Sequence, residues 1–232
     1  MFKINLSYPV NQSAFIRVYL RLISLMSDKN LWNEKTSHGE ILKKIWKHLD
    51  LGMLEREHPF HTPVFGTVKE GAAQLRVVVL RRFWRRNPRG LAFHAHVGSP
   101  KIAEIENNPE VSWLFYHPQE RFQVRVKGRA GVHRDGERLH EEQWLATEFF
   151  SRRCYVGEAP SQISEKPTSG LPEDLTKRAP TEEESEAGRE NFAVIFSTID
   201  QLDCLELNVK GHRRSRFVWT PTGELETKWL TP

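Results

Sequence analysis

The sequence predicts a mainly β fold with a few helices, of the α+β class, arranged as one strand-dominated barrel. The first observation is a two-residue alternation of apolar and polar side chains, which recurs in short runs from residue 62 onward. This alternation is typical of antiparallel strands with one covered face. The second observation is that three longer stretches, at 38–54, 99–107 and 135–151, keep helical spacing instead.

The composition is that of an ordinary globular domain, and it excludes several classes of protein. The 232 residues are 38% hydrophobic and 28% charged, and the net charge of +4 is too small to indicate a polyanion partner. Cys154 and Cys204 cannot form a disulfide framework, so reduced thiols are expected. Because no Cys/His cluster has the spacing of zinc ligands, we expect no metal.

The N-terminal stretch is predicted to lie outside the domain. Its apolar run at 15–23 contains Arg17 and Arg21, so it is too short and too charged to span a membrane. It also lacks the small-residue cleavage site of a signal peptide. We therefore expect residues 1–25 to be an extension, residues 26–232 to form a single domain, and the protein to be cytoplasmic with no membrane partner.

The helices have recognisable boundaries. The first, at 38–54, carries its apolar residues on one face and is expected to end at Gly52. The second begins with Ser99 as N-cap and Pro100 in the first position, and ends before Pro109. The third is predicted as one continuous helix over 135–151.

The strands follow from the alternation, and nine of them are expected. In chain order they lie at 62–68, 75–82, 91–96, 111–117, 122–132, 192–197, 202–209, 214–219 and 224–230. The clearest is 122–132, where Phe122, Val124 and Val126 alternate with polar residues. Residues 220–223 make the last hairpin turn, and the Pro/Glu-rich segment at 157–190 is expected to be a loop with a helical turn at 181–189.

Three features between residues 74 and 129 suggest an anion site. Arg76 and Arg81 are expected on one strand, Lys101 lies in the first turn of a helix, and Gln123 lies on the polar face of the clearest strand. A helix N-terminus offers backbone N–H groups and a positive dipole end, and arginine is a bidentate donor for phosphate oxygens. Taken alone, each feature is better explained by ordinary capping by Ser99 or by solvated side chains.

The order of these motifs resembles the pyridoxamine 5′-phosphate oxidase family. The resemblance rests on LRVVVLRRF at 75–83, on GLAFHAHVGSPKIAEIENNPEVSWLFYHPQERFQVRVKG at 90–128, and on GHRRSRF at 211–217. It covers roughly residues 40–232 and is closest to a branch of unknown substrate. It implies a split β-barrel and a homodimer with FMN between the subunits.

The resemblance also implies roles for single residues. The residues implied to bind the FMN phosphate are Arg76, Ser99 and Lys101. The residues implied to lie along the ribityl chain and the ring are Arg81, His94, Ala95, Gln123 and Arg216, with Gln123 coming from the other subunit. The residues implied to lie on the substrate side are Arg81, His212 and Arg214. No catalytic residue is assigned.

Departures from the family pattern keep alternatives open. Pro100 replaces a basic residue of the family, and Cys204 stands where a tryptophan is common, so the family's usual substrate is not expected here. The first hypothesis is an FMN-dependent oxidoreductase that acts on a small molecule. The alternative is a flavin- or haem-binding split-barrel protein without turnover. The basic run at 81–86 is interpreted as a solvated hairpin, so no nucleic-acid partner is expected.

Overall fold

Ten antiparallel strands organise the chain, and helices cover one part of them. The computed structural model describes residues 33, 35–86, 88–209 and 211–232, so the predicted extension at 1–25 and the boundary at 26 lie outside the described residues. Ser37–Pro232 forms one compact unit. The predicted α+β class is confirmed.

The described residues form ten strands and five α-helices. The strands are β1 (Val64–Lys69), β2 (Ala72–Val77), β3 (Arg82–Trp84), β4 (Gly90–His96), β5 (Glu110–His117), β6 (Phe122–His133), β7 (Phe192–Thr198), β8 (Gln201–Glu206), β9 (Arg213–Trp219) and β10 (Leu225–Leu230). The helices are α1 (His38–Leu54), α2 (Pro100–Asn107), α3 (Arg138–Leu145), α4 (Phe149–Val156) and α5 (Glu182–Glu186). No helix in these described ranges is long and apolar enough to cross a membrane.

Strand β6 joins the two halves of the strand network. One half runs β10-β9-β8-β6-β5-β1-β2, and the other is formed by β3, β4 and β7. The first part of β6, through Lys127, pairs with β8, and its last part, from Ala130, pairs with β7. Gly128 lies at this change of partner, where a Cβ atom would stand 1.9 Å from the carbonyl oxygen of Thr198. Glycine is therefore required for the two halves to meet.

Helix α1 spans the predicted range 38–54, but the expectation that Gly52 ends it is wrong. Ser37 caps it and shares a capping box with Glu40. Gly52 lies inside the last turn rather than beyond it. A Cβ atom at this position would come within 2.7 Å of Phe60. The glycine serves close packing against Phe60, and the helix continues to Leu54.

Two other predicted elements are each divided in the structure. The predicted strand at 75–82 ends at Val77, after which Val78 and Leu80 donate backbone hydrogen bonds to the loop before β1. The chain turns here between the two halves of the strand network. Val78 and Leu80 are buried at this turn, so the sequence stays apolar although the strand has ended. The predicted helix at 135–151 becomes α3 and α4, because Arg152 donates to the carbonyl groups of Trp144 and Thr147 at the break.

The core between the halves is aromatic. Trp113 contacts Phe65 and Phe93, and its indole N–H donates to Ser197 Oγ at 2.8 Å. The alternation of β6 is confirmed, since its predicted apolar face is buried from Phe122 through residue 130 and its other face is exposed or half-buried. The Pro/Glu-rich segment is mostly loop, with α5 where the helical turn is predicted. Neither described cysteine is in a disulfide.

Candidate functional site

A large open cavity lies where β4 ends and α2 begins. Its volume is about 990 Å³, which is at the upper end for small-molecule sites. Its walls are the end of β4, Lys101, the end of α4 and the loop 157–171. That loop is closed at its base, where Glu158 N donates to Gly170 O at 2.8 Å.

Three of the residues predicted for the cofactor line this cavity, namely His94, Ala95 and Lys101. His94 and Ala95 are held in register by β7, and Lys101 lies in the first turn of α2. Ser99 stands beside them as the N-cap residue, but its hydroxyl accepts from Lys101 Nζ instead of capping the helix. These neighbouring residues of the motif therefore lie together beside the cavity.

The helix end offers fewer backbone donors than the sequence suggests. Pro100 has no N–H, and the N–H of Ile102 donates to the carbonyl of Ser99 at 2.9 Å. The positive character of this end must then come chiefly from Lys101. Burial, and next the nearby charge of Arg76, lowers the pKa of Lys101 below its ordinary value, and an anion bound here would oppose that shift.

The imidazoles of the cavity wall are held neutral. Burial, and next the positive charge of Arg81, lowers the pKa of His94 to about 3, although the side chain of Gln143 opposes the shift. Burial and Lys101 also lower the pKa of His96. Both ring nitrogens of His94 and Nε2 of His96 are buried and have no hydrogen-bond partner among the described residues. Buried polar atoms without partners are uncommon in folded proteins, so this wall is suited to a polar ligand.

Arg76 and Arg81 do not share a strand, contrary to the prediction. Arg76 lies on β2, while Arg81 follows the corner and donates its backbone N–H to Ala92 O. Arg76 is also committed to a carboxylate, since Nη2 lies 2.6 Å from Glu104 Oε2 and Nη1 donates to Thr67 Oγ1 at 2.5 Å. Neither arginine lines the large cavity directly.

The remaining predicted residues lie elsewhere on the sheet. Arg214 and Arg216 on β9 line a separate groove of about 360 Å³, where both contact the buried carboxylate of Asp203. Gln123 lies on β6 opposite Leu205 and lines neither of these two spaces. His212 lies in the loop before β9, where its Nδ1 accepts from the backbone N–H of Asn208 at 3.1 Å. One chain thus brings some of the predicted residues to the cavity and others to the groove, and the rest lie outside both.

Sequence reasoning missed the acidic partners of these arginines. Glu104 was hidden because it lies 28 residues from Arg76 and meets it only when α2 packs on β1, the neighbour of β2 in the sheet. Asp203 could have been found, since it is a carboxylate inside an apolar strand with Arg216 directly opposite in the register. A buried carboxylate at such a position requires a cationic partner.

A cluster of histidines forms under α1, although the spacing in the sequence indicated no metal site. Ligand atoms of His48, His58 and His117 lie within 4.8 Å of one another. Hydrogen bonds account for much of this cluster, because Phe60 N donates to His58 Nδ1 at 3.1 Å and His48 Nδ1 lies 3.1 Å from His58 Nε2. A neutral imidazole with a metal on Nε2 would carry its proton on Nδ1, where that backbone donor already points.

Comparison with known proteins finds a family match that covers less than half of the chain. Residues 41–134 match the family described as pyridoxamine 5′-phosphate oxidase, FMN-binding domain. Among curated proteins, the pyridoxine/pyridoxamine 5′-phosphate oxidase of Rubrobacter xylanophilus is 42% identical over 62 residues, which cover 27% of each chain. The protein of the same name from Klebsiella pneumoniae is 45% identical over 69 residues, covering 29% of this chain and 30% of that one. These alignments thus span less than a third of the relatives' length.

Solved structures agree on the fold over most of the chain. A pyridoxamine 5′-phosphate oxidase-related, FMN-binding protein from Nostoc punctiforme aligns with a TM-score of 0.66 at 18% identity, covering 82% of this chain and 97% of that one. PhzG from Burkholderia lata, solved with tetrahydrophenazine-1-carboxylic acid, aligns with a TM-score of 0.62 at 18% identity over 86% and 95%. At this identity the likeness shows the fold alone, which is the predicted split β-barrel.

Proposed function

Since residues 41–134 match the FMN-binding domain of the pyridoxamine 5′-phosphate oxidase family, we propose that this chain binds FMN and is an FMN-dependent oxidoreductase. The observation that carries the proposal is the wall of the large cavity. Lys101 supplies a cation there, and His94 and His96 present buried ring nitrogens without partners among the described residues. A polar, anionic molecule of cofactor size fits these surroundings.

The phosphate end of FMN would be held by a small set of groups. Lys101 and Ser99 would contact it directly, and Arg76 would add positive charge from behind. Two features weaken this cradle, because Pro100 contributes neither a side-chain charge nor an N–H and Glu104 already neutralises Arg76. We therefore expect FMN affinity to depend strongly on Lys101.

The ring end would need residues from a second copy of the chain. His94 and Ala95 line the cavity beside Lys101, whereas Arg216 and Gln123 lie on the other half of the sheet. Arg216 lies with Arg214 on a groove that is separate from the cavity lined by Lys101. We propose a homodimer in which each FMN lies between these two groups.

When bound, FMN supplies a ring that accepts or donates a hydride, and the protein supplies position and charge. Arg216 and Arg81 would place positive charge near the ring, which favours its anionic reduced form. The loop 157–171, which forms one wall of the cavity, would limit the access of water to it. His94, held neutral by burial, would donate or accept a hydrogen bond without adding charge.

The absorption spectrum of the purified protein and an FMN titration test this proposal. Lys101→Met should weaken FMN binding by about tenfold to a hundredfold, the usual effect of losing a charge-assisted contact. Lys69→Met is the matched control, because Lys69 is an exposed lysine at the end of β1 outside the cavity, and its affinity should stay within about twofold of the parent. Protein that stays colourless with added FMN, or equal affinities of the two variants, would contradict the proposal.

A flavin-binding protein without turnover is the second candidate. Glu104 favours it, because a cofactor whose phosphate arginine is already paired is held less firmly than in a complete cradle. Rapid reduction of the bound flavin by a nicotinamide nucleotide, followed by repeated reoxidation in air, would exclude this candidate. A flavin that binds in stoichiometric amount and never cycles with any reductant would support it.

A further inference from the structure

Three arginines converge on one buried aspartate on the face of the long half-sheet. Asp203 on β8 has only 2% of its side chain exposed. Arg214 donates from Nε and Nη2 at 2.9 and 3.0 Å, Arg216 donates from the same two nitrogens at 3.2 and 3.0 Å, and Arg125 donates from Nη2 at 3.0 Å. The three strands β6, β8 and β9 bring them together in register.

The charge of this cluster is unbalanced. Three guanidinium groups and one carboxylate leave two positive charges, and Lys127 lines the same groove. Each arginine directs one or two nitrogens at Asp203, and Nη1 of all three has no hydrogen-bond partner among the described residues. Guanidinium donors left over in this way match the oxygens of a carboxylate or a phosphate.

Asp203 fixes the direction of these donors. Burial alone would raise the pKa of Asp203, but the hydrogen bonds of Arg214, Arg125 and Arg216 lower it to about 2. The carboxylate is therefore ionised at every pH near neutrality and orders the arginines in the absence of a ligand. Donors held in place before binding lose less conformational freedom when an anion arrives.

Beside the charges the groove is apolar. Val64, Leu75 and Leu114 form its other wall, and Leu75 is 71% exposed. A simple inorganic anion would use the arginines and leave this wall in water. A small organic anion, with an apolar body next to its charged group, would cover both.

We propose that this groove binds the carboxylate or phosphate of a small organic anion with an apolar body, and that Arg125 determines specificity for it together with Arg214. This rests on the proposed function, because the anion would be the substrate brought against FMN. Arg125 is the new element, since the resemblance to the family implies no role for it. Asp203 is a positioning residue that acts through the arginines.

Anion binding to the full-length protein, with and without FMN, tests the inference. Benzoate and inorganic phosphate are titrated by calorimetry at low ionic strength. Arg125→Met should weaken benzoate binding by about tenfold or more, and Arg125→Lys should recover part of the loss, because lysine keeps the charge without the planar fork. Arg129→Met is the matched control, since Arg129 lies on the same face of β6 but pairs with Glu110 outside the groove.

The outcomes separate this inference from the proposed function. Weaker binding in Arg125→Met alone, in a variant with the parent's unfolding temperature, supports the anion site whether or not FMN binds. Equal affinities in Arg125→Met and Arg129→Met, or no binding of either anion at millimolar concentration, would overturn it even if the protein is yellow. Tighter binding of benzoate than of phosphate is expected from the apolar wall, and the reverse order would overturn the organic part of the proposal.

Discussion

Acidification should destabilise this protein through His58, and replacing that residue should remove part of the effect. His58 Nδ1 accepts the backbone N–H of Phe60, so its proton must lie on Nε2, which faces His48 Nδ1 at 3.1 Å. A further proton on His58 would break the bond to Phe60. Burial, and then the charges of His48 and His117, accordingly lowers the pKa of His58 to about 3.

The sign follows from comparing the folded and unfolded chains. Below the ordinary value of 6.5, an unfolded His58 takes up a proton that the folded one refuses, so stability is complete above that pH and is lost as the pH falls toward 3. At about pH 5 a fully buried group would contribute a loss of about 2 kcal/mol; His58 is partly exposed and solvent screening reduces this to about 1–2 kcal/mol.

The charged groups around His58 do not reverse the direction of this loss of stability as the pH falls from neutrality to 5. The titratable and charged groups that face it are Lys44, His48, His61, His117 and Glu120. Burial raises the pKa of Glu120, but the hydrogen bonds from His48 and Lys44 hold this pKa well below its usual range. The carboxylate therefore stays ionised at pH 5. Burial also lowers the pKa of His117, which adds to the acid sensitivity in the same direction.

Urea unfolding at about pH 7.5 and about pH 5 measures the effect. His58→Asn is the suitable variant, because the asparagine oxygen can still accept the N–H two residues ahead but does not titrate. The loss of stability between the two pH values should be smaller in this variant by about 1–2 kcal/mol. Arg56→Ala, on the same loop, should keep the parent's loss, since a guanidinium stays charged throughout. An equal loss in His58→Asn and the parent would refute the reasoning.

Two further changes test the packing of the sheet and the balance of charge at Lys101. Gly128→Ala should lower the free energy of unfolding by about 3 kcal/mol, because its methyl group would overlap the carbonyl oxygen of Thr198. Gly131→Ala, on the same strand, has open space and should change this free energy by less than about 0.5 kcal/mol. Equal effects of the two variants in denaturation would contradict this. Glu104→Gln should tighten FMN binding by about fivefold, since it removes a buried negative charge beside the half-buried Arg76, worth on the order of 1 kcal/mol after solvent screening. Weaker binding in a fluorescence titration would count against it.

The fold was largely predictable because its main signals are local. Strand β6 alternates over its whole length, and its predicted apolar face is buried from Phe122 through Ala130. The failures occurred where tertiary contacts decide the local structure. The apolar run after Leu75 looks like one strand, yet it turns a buried corner at Val78. The helix at 135–151 divides because Arg152 reaches back to two carbonyl groups, and a helical pattern carries no sign of that.

In the candidate site too, the residues that are close in sequence were predictable, and the contacts between distant residues were not. His94, Ala95 and Lys101 come together because they are neighbours along one strand–turn–helix unit, and sequence order alone places them. Carboxylates that decide how the arginines behave come from distant positions. Glu104 reaches Arg76 through the packing of α2, and Asp203 meets Arg125 across the pairing of β6 with β8. Periodicity predicts which face a residue occupies, but not which charge stands opposite it.

The cations near α2 and those in the groove differ in how far a buried carboxylate neutralises them. Ligand binding at the two places should therefore respond differently to pH. One carboxylate neutralises Arg76 at α2, which leaves Lys101, whose pKa is lowered by burial, as the main cation for a phosphate. Three arginines share Asp203 in the groove, and a guanidinium does not lose its charge. As the pH rises toward the ordinary pKa of lysine, FMN affinity should therefore fall before benzoate affinity does. Titrations of both ligands at increasing pH measure this order, and a parallel fall would show that one group of cations serves both.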